Sequence, residues 1–216
     1  MAKLLKKEFV LSMHPVTPFM LVLVAMVLIP NYPYCVIFFY VSMAIFFTCL
    51  QGRENRDIIY TAGLPVSKRD VVKARIMFAV IIELVQLLIM IPFVLLSRRL
   101  NPAGNQAGMD ANIALFAEGF IVYGVFNAVF FLSYYKNVAK VGASFIKSSI
   151  AVFVLTALDI ASTYAVPFVR SRLDTADPAY LTQKLIFLVT GAVIFAVLNV
   201  LTYKISAVNF EKQDLN

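Results

Sequence analysis

The 216-residue sequence contains little charge and few of the side chains that bind metals. Only 14% of the residues are charged, and the chain has one histidine, two cysteines and no tryptophan. Because soluble domains usually carry about 25% charged residues, the hydrophobic content of 61% indicates an integral membrane protein. The net charge of +7 is explained by basic residues that anchor loops at the membrane, so we predict no nucleic-acid partner.

Motifs for nucleotide, metal or peptide-bond chemistry are also missing. The sequence has no G-x-x-x-x-G-K-[ST] and no H-E-x-x-H, and a lone His14 cannot supply a histidine metal cluster. Cys35 and Cys49 lie in one apolar run, about 21 Å apart if that run is helical, which is too far for a disulfide. Asp159 has no second aspartate in any predicted span, so an aspartate protease is not indicated. We therefore predict no catalytic residue, metal or cofactor in this chain.

Long apolar runs are what the sequence has in abundance. Each is long enough for a helix and lacks the alternation of a barrel strand. The predicted fold is a single all-α, multi-pass membrane domain over residues 1–216. Its six predicted spans are residues 16–29, 34–50, 76–96, 119–135, 143–169 and 185–203.

The first of these spans is short, since 14 residues of helix reach only about 21 Å across a hydrocarbon core of about 30 Å. Residues 1–14 mix lysines with apolar residues, which suits an amphipathic helix lying in the membrane interface. Pro15 would turn the chain upward into the span. The alternative is one continuous, kinked first span with a basic start.

The basic residues predict the orientation of the chain. If the N-terminus is cytosolic, 14 of the 19 Lys and Arg residues fall on the cytosolic side. Positive charge is concentrated in cytosolic loops of membrane proteins, so we predict that both termini are inside.

Nine charged residues lie between spans two and three, in residues 51–75, which we call the polar segment. Such a density of charge cannot lie in hydrocarbon, so the segment must be in water. We predict a short helix over residues 53–62, with Gly63 suited to its C-terminal turn. Ser67 is the predicted N-cap of a second helix, with Asp70 at the capping-box position, that runs on into span three.

Residues 54–69, ENRDIIYTAGLPVSKR, resemble the cytosolic loop of small bacterial ABC type-2 transporter permeases. In that family, polar and acidic residues lead to apolar ones, then to Leu-Pro, a small apolar residue, Ser or Thr, and basic residues. The six-span layout, the basic amphipathic start and the absence of a soluble domain are similar as well. The resemblance therefore covers the whole chain.

The resemblance implies that the polar segment is a coupling helix resting on a separate ATP-binding subunit, which would hold ATP and Mg. It also implies a second permease, identical or related, and export of a peptide or another hydrophobic or amphipathic compound across the bacterial inner (cytoplasmic) membrane. Peptides such as phenol-soluble modulins and antimicrobial peptides are examples of such cargo. The implied partner contacts are Arg56, Asp57, Ile58, Ile59, Tyr60, Leu64, Pro65, Ser67 and Arg69.

Two acids fall within predicted spans. A charge at the bilayer centre costs about 2.5–3.5 kcal/mol on insertion scales, so Glu83 and Asp159 should face protein or water. They either tie helices together by hydrogen bonds or line a path for cationic or amphipathic cargo. An alternative function is an ion- or proton-coupled carrier or channel that uses both acids. A third is a noncatalytic membrane scaffold or immunity protein.

Overall fold

The computed structural model describes residues 1–213, and these form helices joined by short loops, with no strand among them. Short π-helical segments follow the first and seventh helices at Glu8–Ser12 and Val169–Leu173, and a 3₁₀ segment covers Leu23–Leu28. The α-helices are α1 (Ala2–Lys7), α2 (Thr17–Val22), α3 (Val36–Glu54), α4 (Asp57–Ala62), α5 (Lys68–Leu100), α6 (Ile113–Tyr134), α7 (Val141–Ala165) and α8 (Leu181–Glu211).

Over the described residues, five helices are long and apolar enough to cross a membrane: α3, α5, α6, α7 and α8. A sixth crossing is obtained if the helical pair Ala2–Ser12 and Thr17–Leu28 is counted as one bent span. These five or six apolar helices confirm the prediction of an all-α integral membrane protein.

The two arms of the N-terminal pair meet at 90°, and the bend falls at the predicted His14-Pro15 position. The His14 backbone N–H donates to Thr48 Oγ1 at 3.2 Å, and His14 Nδ1 accepts from the Val16 N–H at 3.1 Å. These bonds replace the helical ladder that Pro15 interrupts. The first arm exposes apolar side chains, including Leu11 at 72%, as an interfacial helix would.

Several helix boundaries differ from the predicted spans, and two of the differences have clear local reasons. Helix α7 ends at Ala165 instead of 169, because Val166 precedes Pro167 and takes an extended conformation. Helix α6 begins at Ile113 instead of 119, because the Asn112 side chain caps it by accepting from the backbone N–H groups of residues 114 and 115. The earlier start brings Glu118 inside a span.

Helix α6 lies against both α7 and α8. The contact with α8 is close because Gly191 has no side chain: a Cβ there would lie 2.7 Å from the Ala117 carbonyl oxygen. Small residues allow such close approach of membrane helices. The outer faces of α7 and α8 keep large apolar side chains exposed, such as Ile150 and Ile186 at 60% and 62%.

Candidate functional site: the polar segment and its anchors

The first short helix of the polar segment begins later than the sequence predicts. Helix α3 continues to Glu54, so the first short helix is only Asp57–Ala62. Arg56 separates the two in the left-handed conformation, with φ of 53°. Gly63 is the C-cap residue of this helix, as predicted, and has a right-handed conformation with φ of −78°.

The second helix of the segment is the predicted one. Ser67 Oγ accepts from the Asp70 backbone N–H at 3.0 Å and donates to the Asp70 carboxylate at 2.8 Å. The helix α5 that begins there is continuous to Leu100. A single helix, with Pro92 inside its last third, therefore links the polar segment to the far end of the bundle.

A buried ion cluster anchors α4 to the rest of the molecule. Arg75 Nη2 lies 2.7 Å from Asp57 Oδ2, and Arg75 Nε lies 2.6 Å from Glu8 Oε2. Lys7 Nζ completes the cluster at 2.6 Å from Asp57 Oδ1 and 3.3 Å from Glu8 Oε1. Arg75 and Glu8 side chains are each only 2% exposed. We call these four residues the ion cluster; it joins the N-terminal arm, α4 and α5.

Neighbouring groups reinforce the ion cluster. Ser12 Oγ donates to Asp57 Oδ2 at 3.3 Å. Gly52 lies beside it, since a Cβ there would be 3.6 Å from Arg75 Nη1. Burial acts to raise the pKa of Asp57, but the charges of Arg75 and Lys7 outweigh it and the pKa stays below its ordinary value. Asp57 is therefore held ionised, facing inward.

The exposed apolar surface of the polar segment consists of Ile59, Tyr60 and Leu64. Their exposed fractions are 48%, 72% and 41%. Ile58 was predicted to share this surface, but it is 5% exposed and packs in the core of the chain. One helical turn thus points Ile58 and Asp57 inward and Ile59 and Tyr60 outward. Large apolar side chains exposed together in water mark an interaction surface.

The remaining predicted contact residues are all exposed, and two of them also form bonds within the chain. Arg56 and Pro65 are exposed. Ser67 serves as the N-cap described above, and Arg69 forms a two-pronged ion pair with Glu211, at 2.8 and 3.0 Å. That pair fixes the end of α8 to the start of α5.

Glu83 lies in the interior and accepts from Asn127 Nδ2 at 2.9 Å. The same amide donates to Asn199 Oδ1 at 3.0 Å. The three side chains come from α5, α6 and α8, so they link three helices. The structure does not join Glu83 to Asp159.

Asp159 has a different partner, which the sequence interpretation missed. The Glu118 carboxyl lies within hydrogen-bonding range of the Asp159 carboxyl. Glu118 was assigned to a loop because the predicted span began at 119. Asn112, a good N-cap residue, was the signal that could have placed it in the helix.

The ion cluster was also missed, apart from Asp57. Lys7 and Glu8 belong to the N-terminal arm, and Arg75 ends the polar segment in the sequence. No local pattern shows that residues so far apart meet. Only the 90° bend returns the N-terminal arm to the base of α5.

A family model described as ABC-2 family transporter protein matches residues 3–211. The chain belongs to this family. No curated protein and no solved structure matches it. Membership makes the chain a membrane component of an ABC transporter, a permease subunit that works with an ATP-binding subunit.

Proposed function

We propose that this chain is the permease half of an ATP-driven exporter in the bacterial cytoplasmic membrane, with both termini cytosolic. Two such subunits, identical or related, would form the pathway. Each would hold one ATP-binding subunit, which binds ATP and Mg, against its polar segment. The cargo would be a peptide or another hydrophobic or amphipathic compound.

The observation that carries the proposal is the exposed pair Ile59 and Tyr60 on α4, followed by the exposed Leu64 just beyond its end, with α4 anchored by the ion cluster. A coupling element has to offer a surface for the partner and transmit movement without bending. Helix α4 meets both needs, because its inner side is bonded through Asp57 to Arg75 in α5. Movement of the ATP-binding subunit would thus be passed directly to helix α5.

The distribution of charge supports the cytosolic assignment. The N-terminal lysines, the polar segment, the loop between α6 and α7 together with the first turns of α7, and the end of α8 carry 14 of the 19 basic residues. ATP-binding subunits are cytosolic, so the polar segment has to be on that side. The distribution of basic residues gives the same orientation.

A charge placed on the exposed surface tests the proposal. Ile59→Asp and Leu64→Asp would bury an unpaired carboxylate in the contact, at a cost of several kcal/mol, about 3–5 by analogy with broken buried pairs. We expect both variants to insert normally and to lose the ATP-binding subunit on co-purification. ATP hydrolysis stimulated by the permease should fall with it.

Ala139→Asp is the matched control, because Ala139 is also an exposed apolar residue, in the loop between α6 and α7. It should retain the partner. Normal complexes and normal transport in both polar-segment variants would mean that the segment is an ordinary loop. ATP-independent flux driven by an ion gradient, from the chain alone, would favour the carrier function over the exporter.

A further inference from the structure

A buried carboxyl group and a half-buried one face each other near the end of the bundle away from the polar segment. Glu118 is 7% exposed, and its carboxyl is within hydrogen-bonding range of the Asp159 carboxyl. Glu118 is five residues from the start of α6 and Asp159 six from the end of α7, so both lie about 8 Å inside their helices. We call them the acid pair.

Among the described residues no charged group donates to the acid pair, although the Cys35 thiol is within hydrogen-bonding range of Asp159. Both oxygens of Glu118 and Oδ2 of Asp159 receive no hydrogen bond from the described residues. A carboxylate can only accept hydrogen bonds, so two facing carboxylates repel each other unless a positive species lies between them. One proton on either group converts the contact into a strong O–H···O⁻ bond.

The groups around the acid pair do not supply a counter-charge. The thiol of Cys35, at the start of α3, lies against Asp159, and Asp174, after the segment Val169–Leu173, adds a further negative charge. Burial raises the pKa of Asp174 to about 6; the hydrogen bond from the Asp110 backbone N–H opposes that rise, and the charges of Asp110 and Asp159 add to it.

Lys184, the basic residue whose charge acts on Asp174, is already paired with another carboxylate. Lys184 acts on Asp174, but its ammonium group is bound 2.8 Å from Asp177 Oδ1. The same lysine also donates to the Thr175 carbonyl. The described surroundings of the acid pair are therefore acidic or neutral, and the missing positive species has to come from outside the chain.

We propose that Glu118 and Asp159 form a proton-binding site, in which one proton shared between the two carboxyls holds α6 against α7. Loss of the proton leaves two like charges in contact and favours separation of the helices. The site is near the bundle end opposite the polar segment and exchanges protons with that side. The proposal is independent of the proposed cargo, direction of transport and ATP-binding partner.

Infrared spectroscopy of the purified chain in lipid nanodiscs tests the proposal. The variants are Glu118→Gln and Asp159→Asn, which keep shape and supply an amide donor to the remaining carboxylate. In a Glu83→Gln background, which removes the other uncompensated buried carboxyl, we expect a protonated-carboxyl band that each single variant abolishes completely, since one proton belongs to both groups. Glu54→Gln, at an exposed carboxyl in the polar segment, should leave the band unchanged.

Thermal unfolding supplies a second readout. The melting temperature of the wild type should fall as the pH rises from mildly acidic to alkaline, because the folded pair loses the proton that stabilises it. The melting temperatures of the two amide variants should fall much less. At alkaline pH both variants should be more stable than the wild type.

Three results would overturn the proposal. The first is a spectrum of the Glu83→Gln background without a protonated-carboxyl band sensitive to either substitution. The second is a band that each variant reduces only by half, which would mean two separately protonated acids. The third is a melting temperature that sodium or potassium raises at fixed pH in the wild type alone, which would mean that the site holds a metal cation.

Discussion

The two ends of the molecule differ in whether their acidic groups are paired with basic groups. At the base of α5, Glu8, Asp57, Lys7 and Arg75 pair as two acids with two bases, each within 3.3 Å of a partner. At the other end, the carboxyls of the acid pair meet without a base. A balanced cluster holds its geometry and is costly to disturb, whereas an unbalanced pair responds to the gain or loss of one proton.

The difference in charge balance agrees with where the ion cluster and the acid pair lie in the fold. The ion cluster connects α4 with the long helix α5, where movement imposed by an ATP-binding subunit would have to pass without loss. The acid pair joins α6 to α7, helices whose contact could change during transport. The comparison suggests that one end is built as a rigid linkage and the other as an adjustable contact.

Removal of Arg75 should cause the largest loss of stability. Arg75→Met keeps most of the side-chain volume but leaves Glu8 and Asp57 with only Lys7 as a counter-charge. Breaking a buried ion pair by removing one partner costs about 3–5 kcal/mol, so we expect a loss of that size in the free energy of unfolding. Thermal and denaturant unfolding of the purified chain in detergent would measure it.

Arg69→Met is the matched control for Arg75→Met. Arg69 is in the same helix and also has an acidic partner, Glu211, but both side chains are largely exposed, at 59% and 41%. Exposed ion pairs contribute about 0–1 kcal/mol, so the control should change stability little. Adding Glu8→Gln and Asp57→Asn to Arg75→Met should recover part of the loss. Equal effects of the two arginine substitutions would show that the ion cluster is not a linkage.

Removal of Asn127 should have an intermediate effect. Asn127→Leu takes away the donor that serves Glu83, and a buried acceptor left unsatisfied costs about 1–3 kcal/mol. Asn199→Leu keeps the bond between Asn127 and Glu83 and should cost less. The same unfolding measurements apply. If the Asn199 variant is the less stable of the two, Glu83 is not held by Asn127, and a role for Glu83 in the transport path becomes the better interpretation.

The sequence predicts the parts of the fold that depend on neighbouring residues. The apolar runs, the bend at Pro15 and the Ser67 cap each follow from a short pattern, and the structure contains all three. The early end of α7 could have been predicted from Pro167 and the early start of α6 from Asn112. Both are local signals in the sequence.

The arrangements that depend on tertiary contacts could not be predicted in the same way. Glu8 and Arg75 are far apart in the sequence and meet only because of the N-terminal bend. The inward direction of Ile58 depends on the rotation of α4, which is set by the bond between Asp57 and Arg75. Arg56 takes the left-handed conformation in the polar segment, at the break between the end of α3 and the start of α4.

Photocrosslinking from the polar segment tests the central claim most directly. A photoreactive amino acid would replace Tyr60 and, as a matched control at the opposite end, Tyr180; these tyrosines are 72% and 41% exposed. After irradiation of whole cells, the position 60 variant should form a covalent adduct with a protein that carries a nucleotide-binding P-loop, and the position 180 variant should not. An adduct with such a protein from position 180, or from neither position, would contradict the assignment of the polar segment as the contact with the ATP-binding subunit.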